Sequence, residues 1–135
     1  MNAYLHLRLE ADSDGSAELF VEVANAGYSG VGSAWFSVQE LCEFGQRLQQ
    51  TFPILQGTSL DLAGGYWSTS SAASLTQKHV GISFYPVGGT GTVGVRVELQ
   101  SPLHRDDRPF SQSSVGVELK TLYEPLRSFG VDLVA

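Results

Sequence analysis

The chain has 135 residues and a formal charge of −6, with 14 acidic side chains against 8 basic ones. That length suits one domain over residues 1–135, which would bury roughly two-thirds of its unfolded surface, so neither a metal nor a disulfide is needed to hold a core. An apolar share of about half, counting glycine, excludes a disordered chain, and no apolar run approaches the roughly 20 residues that cross a bilayer.

The opening Met1-Asn2-Ala3-Tyr4 has no basic-then-apolar leader. The expectation is a cytoplasmic protein with no membrane partner. The lone Cys42 agrees, since small secreted domains carry paired cysteines. Its place on an apolar helical stripe reads as a packing thiol.

The charge is unevenly placed. Residues 1–67 hold eight acids and two bases, which is the whole imbalance, and residues 68–135 hold six of each. Phosphates would be repelled by the first half, so nucleic acid is not an expected partner. A basic protein would be attracted and steered to it.

Leu5, Leu7 and Leu9, then Leu19, Val21 and Val23, alternate with polar residues in the period of a half-buried strand. Ser13-Asp14-Gly15 suits a three-residue hairpin loop with glycine left-handed. That register sets Leu9 opposite Leu19 and Leu7 opposite Val21, with His6 facing Glu22 and Arg8 facing Phe20 on the other side. Asp12-Ser13-Asp14-Gly15-Ser16 has the opening of a calcium loop, but strands flank it and the remaining ligands are missing. It is turn chemistry.

Gly27, Gly30 and Gly32 predict a bend before a short strand, Ser33–Phe36. Ser37-Val38-Gln39-Glu40 then reads as a capping box. Val38, Leu41, Cys42, Gly45, Leu48 and Phe52 predict a helix over about 38–51, ended by Pro53. Thr58–Ala63 is a short strand. The uncharged stretch 62–77 is a loop, started by Tyr66 and Trp67.

Val80, Ile82 and Phe84 pair with the Val93–Leu99 strand across a two-residue Gly88-Gly89 turn, which sets Ile82 opposite Val95 and His79 opposite Glu98. The G-x-G-x-x-G at Gly89, Gly91 and Gly94 opens a strand, not a helix, and is no dinucleotide fingerprint. A polar loop over 100–113 leads to a strand through Val115, Val117 and Leu119. A second capping box, Thr121 to Glu124, starts a second helix running to about 134.

The three histidines, His6, His79 and His104, stand in separate segments without metal-ligand spacing. No metal site and no cofactor is expected. Gly27-Tyr28-Ser29-Gly30 is not a nucleophile elbow. His79 beside Glu98 could act as an oriented base, but cross-strand polar pairs are common on solvated sheet faces. No catalytic residue is assigned.

The fold class expected is α+β: a mostly antiparallel sheet of about six strands with two helices packed on one face. The open face then mixes aromatics and charges, an interface composition. The candidate partner-binding residues are Glu10, Asp12, Asp14, Glu18, Phe20, Glu22, His79, Tyr85, Arg96 and Glu98.

A Trp-Phe strand leading into Ser37-Val38-Gln39-Glu40-Leu41 comes first, then Gly64-Gly65-Tyr66-Trp67, the stretch His79 to Gly88, Val93-Gly94-Val95 and a final strand and helix. In that order and over nearly the whole chain, these resemble the WapI-type immunity proteins of bacterial polymorphic toxin systems. The first hairpin and the Ser-rich loop find no counterpart in that pattern. The resemblance implies a non-enzymatic role: binding and neutralising a cognate toxin made by the same cell. A small-molecule or catalytic domain built around His79, or a homodimer module using the open face, is the alternative.

Overall fold

The computed structural model describes residues 3–50, 54–67, 75–89, 91–122 and 125. Among them lie seven strands and one α-helix, in two antiparallel sheets. The first sheet joins β1 (Tyr4–Ala11), β2 (Ser16–Asn25) and β3 (Tyr28–Ser37) in that order. Helix α1 (Val38–Gln50) follows, and the second sheet runs β4 (Leu60–Trp67), β5 (Leu75–Val87), β6 (Thr92–Gln100), β7 (Ser114–Leu122). The mostly antiparallel α+β character holds, but the single six-stranded sheet does not.

The division into two sheets comes from β3. Gly30 and Gly32, expected in a bend, lie inside this strand and pair with Val23 and Val21. The turn is instead made by Ala26 and Gly27, both at positive φ. With no side chain, Gly30 sits against Val115 of β7 and Gly32 against Leu99 of β6, while Ala34 and Phe36 sit against Gly64 of β4. The strand therefore crosses the second sheet from one edge to the other, and the core fills the space between.

That core takes alternate residues from both sheets: Leu19, Val21 and Val23 of β2, Val80, Ile82 and Phe84 of β5, and Val93, Val95, Val97 and Leu99 of β6. Burying each such side chain contributes about 1.5–3 kcal/mol. Helix α1 adds Leu41, Phe44 and Leu48. Phe44 meets Phe84 at 5.8 Å between ring centroids, a contact the expected stripe omitted. The helix begins where the sequence places it: the Glu40 amide donates to Ser37 Oγ at 3.0 Å, and the Ser37 amide to Glu40 Oε1 at 3.2 Å.

The first hairpin has the expected register, with Leu9 opposite Leu19 and His6 opposite Glu22. The second does not. Ile82 pairs with Val97, because Val87 and Thr92 close a four-residue loop in place of a two-residue turn. Gly88 and Gly91 take the positive φ values it needs, 65° and 86°. Two added residues preserve parity, so the side chains from Val80 to Tyr85 and from Val93 to Leu99 keep their expected faces.

The second helix is corrected at its start. Thr121 and Leu122, expected at its cap, continue β7 opposite Val93 and Thr92. The rest of that segment lies outside the described residues, Pro125 excepted, as do Phe52, Pro53 and the Ser-rich stretch 68–74. Tyr66 and Trp67 belong to β4 rather than to a loop.

Candidate functional site

Strand alternation puts Tyr4, His6, Arg8 and Glu10 of β1 on the outer face of the first sheet. Glu18, Phe20 and Glu22 of β2 stand beside them, then Val31, Ser33 and Trp35 of β3. Phe20 lies at the centre. The Arg8 guanidinium stacks on its ring, 4.1 Å from the centroid, and pairs with Glu10. Glu22 accepts the Tyr4 hydroxyl at 3.2 Å, and Glu18 accepts the Ser33 hydroxyl at 2.9 Å. The carboxylate beside it raises the Tyr4 phenol above its usual range.

Neither Glu18 nor Glu22 forms an ion pair among the described residues. Two apolar side chains border them in water: Val31 is 76% exposed and Trp35 51%. Past the edge of β3, Gln100, Ser101 and Pro102 rise as a wall. Together with Phe20, Glu22 and Val31 they enclose an open groove of about 590 Å³. Asp12 and Asp14 occupy the hairpin tip, where Asp14 Oδ1 accepts the Ser16 amide at 3.0 Å and the Ser16 hydroxyl at 2.5 Å. These bonds hold the Asp14 carboxyl below its usual range.

Tyr85, Arg96 and Glu98 lie on the outer face of the other sheet, directed away from this groove. The ten candidates therefore do not form one surface. On the second sheet, long side chains lie flat over glycines: Lys78 on Gly81, Arg96 on Gly116 and Tyr85 on Gly94. Glu98 bonds Lys78 at 3.2 Å and approaches Arg96 at 4.0 Å. Tyr85 donates to Glu118, and burial together with that bond pushes its phenol up to about 12. On this face Glu98 is engaged by both Lys78 and Arg96 and the glycine gaps are filled, while Asp61, Glu118 and Lys120 form no ion pair among the described residues.

His79 belongs to neither face. Gly64 pairs with Val80 and Gly65 with Lys78, which leaves His79 as the extra residue of a bulge, only 4% exposed. Its expected partner Glu98 stands opposite Gly81 instead. The Gln77 amide pairs with the Leu103 backbone at both ends: Nε2 donates to the carbonyl at 3.2 Å and Oε1 accepts the amide at 2.8 Å. Oε1 is thus the atom 2.6 Å from His79 Nε2, and that nitrogen carries the proton. Tyr66 meets the ring edge-on at 4.5 Å. Burial, and His104 nearby, hold the imidazole below its usual pKa. The acid-base pair that a catalytic reading needs is not formed.

Sequence reasoning missed Val31, Trp35 and the 100–102 wall. The alternation of Gly30, Gly32, Ala34 and Phe36 with Val31, Ser33 and Trp35 was a strand signal, hidden by reading the glycines as a bend. Among the described residues, no group of three or more His, Cys, Asp or Glu is placed to hold a metal. No helix among them is long and apolar enough to cross a membrane. No family profile, curated protein or solved structure matches the chain.

Proposed function

We propose that the chain is a non-enzymatic protein-binding module whose first-sheet outer face takes a basic protein surface. The partner class follows from the resemblance: a cognate bacterial toxin, neutralised by occlusion. The observation that carries the reading is the company kept by Glu18 and Glu22, acids without a cation partner among the described residues, set between exposed Val31 and Trp35. Aromatic and aliphatic anchors beside unmatched charge suit a protein contact, in which the apolar groups supply affinity and the acids supply orientation and rate.

The test is co-expression with the product of the adjacent upstream gene. A stable stoichiometric complex and restored growth support the reading. Absence of a complex, or a complex that Glu18→Lys, Phe20→Ser and Glu22→Lys leave intact, overturns it.

A further inference from the structure

Phe110 stands on a single helical turn, Pro109–Ser111, with 99% of its surface exposed. The loop that carries it is tied down. The His104 amide donates to Asp107 Oδ2 at 2.7 Å, the Ser111 hydroxyl to the Arg108 carbonyl at 2.6 Å, and Gln112 Nε2 to the Ser101 carbonyl at 2.9 Å. Gln77 clamps Leu103 at the root.

A loop bonded this way and still holding a phenyl ring in water forgoes the burial that apolar side chains normally gain, so folding does not account for Phe110. Arg105 and Arg108 precede it in the same loop, with Asp106 and Asp107 between them, and neither arginine has an ion-pair partner among the described residues. The receptor for such a knob is an apolar cleft beside carboxylates that have no cation partner.

The same molecule carries one. The groove on the first sheet has Phe20, Val31 and Pro102 as apolar lining and His6, Arg8 and Glu22 as polar lining, with Arg8 stacked on Phe20 and Glu18 on the adjoining position of the face. Its volume of about 590 Å³ is ample for a phenyl ring. Ser101 and Pro102 wall the groove and also begin the loop that carries Phe110. A surface carrying both can pair with its own copy about a two-fold axis, in which each copy gives a knob and receives one.

We propose that two copies of this chain associate through this surface, each placing Phe110 in the other's groove with Arg105 and Arg108 against Glu18 and Glu22. The inference does not rest on the toxin reading. It implies that the chain covers its own groove when no other partner is bound.

Sedimentation of the purified full chain, from micromolar to several hundred micromolar, tests it. The expected result is a rise in mass from 14.5 kDa toward twice that value, reversed by dilution and weakened by salt. Phe110→Ser, at a site with no folding contacts to lose, leaves the melting curve unchanged at concentrations where the chain is monomeric and weakens association about tenfold or more. Glu22→Arg and Arg108→Glu each weaken self-association, and mixing the two restores it. A chain that stays monomeric, a dimer indifferent to Phe110→Ser, or a mixture that fails to recover would each overturn the proposal.

Discussion

Gly64 of β4 lies against the Phe36 ring of β3: a Cβ built on it would come within 2.6 Å of Phe36 Cζ and 3.0 Å of the Ala34 Cβ. The two sheets meet through this missing methyl. Phe36 and Ala34 are both buried, and neither can retreat into solvent.

Gly64→Ala should therefore destabilise the fold by about 1–3 kcal/mol, the usual cost of overpacking. Urea denaturation would show a lower midpoint with an unchanged slope. Adding Phe36→Leu makes room, so the double variant should lose less than the two single losses combined. Simple additivity would mean that the contact does not set the spacing of the sheets.

How much of this was legible depends on what fixes each feature. The first hairpin read correctly because strict alternation on both sides of Ser13-Asp14-Gly15 leaves one register that keeps Leu5 and Leu7 against the core. The start of α1 read correctly because the Ser37–Glu40 cap is local. The second hairpin was misplaced by two residues because Gly88 to Gly91 can close a loop of two or of four with the same parity. Nothing in the alternation separates those cases. Whether outward residues of different hairpins share a surface is a matter of sheet topology, decided by the close approach of Gly30, Gly32 and Gly64 to distant strands. The sequence offered one polar face, and the molecule has two. Phe110, a lone aromatic in a polar loop, belongs to no period at all.

The buried imidazole gives a pH dependence whose direction is settled. His79 is held below its usual value of 6.5 by burial and by His104. Between that lowered value and 6.5 the folded chain binds fewer protons than the unfolded one, so stability rises with pH through this window. The contribution is complete above about pH 6.5 and is lost as pH falls through the folded value. Urea midpoints measured at neutral and mildly acid pH should differ more for the wild-type chain than for His79→Gln, which cannot titrate. Equal differences would place the acid sensitivity in other groups.

Tyr85 titrates in the opposite sense. Its phenol is raised from 10 to about 12 by burial and the bond to Glu118. A raised folded value means stability that is present below pH 10 and lost between 10 and about 12. In an absorbance titration of tyrosinate, the last phenol to ionise should vanish in Tyr85→Phe. In Glu118→Gln it should move back toward 10, because both the carboxylate bond and its charge are gone. If Glu118→Gln leaves the titration unchanged, burial alone sets the value.

The two outer faces make contrasting claims about partner binding. On the first sheet, Trp35 is half exposed beside acids that have no cation partner among the described residues. On the second, Glu98 is already engaged by Lys78 and Arg96, and the flat-lying Arg96 and Tyr85 fill the space above Gly116 and Gly94. A partner docking there would have to break these contacts before making new ones. In titration calorimetry against the upstream-gene product, Trp35→Ala should weaken binding by about 2 kcal/mol, the scale of an aromatic anchor. Val31→Asp should also weaken it, by placing a charge against the apolar contact. Arg96→Ala and Glu98→Ala should change affinity by less than about 0.5 kcal/mol, as substitutions outside an interface do. Equal losses from both faces would mean that the partner wraps the sandwich. A loss confined to Arg96 and Glu98 would move the site to the second sheet.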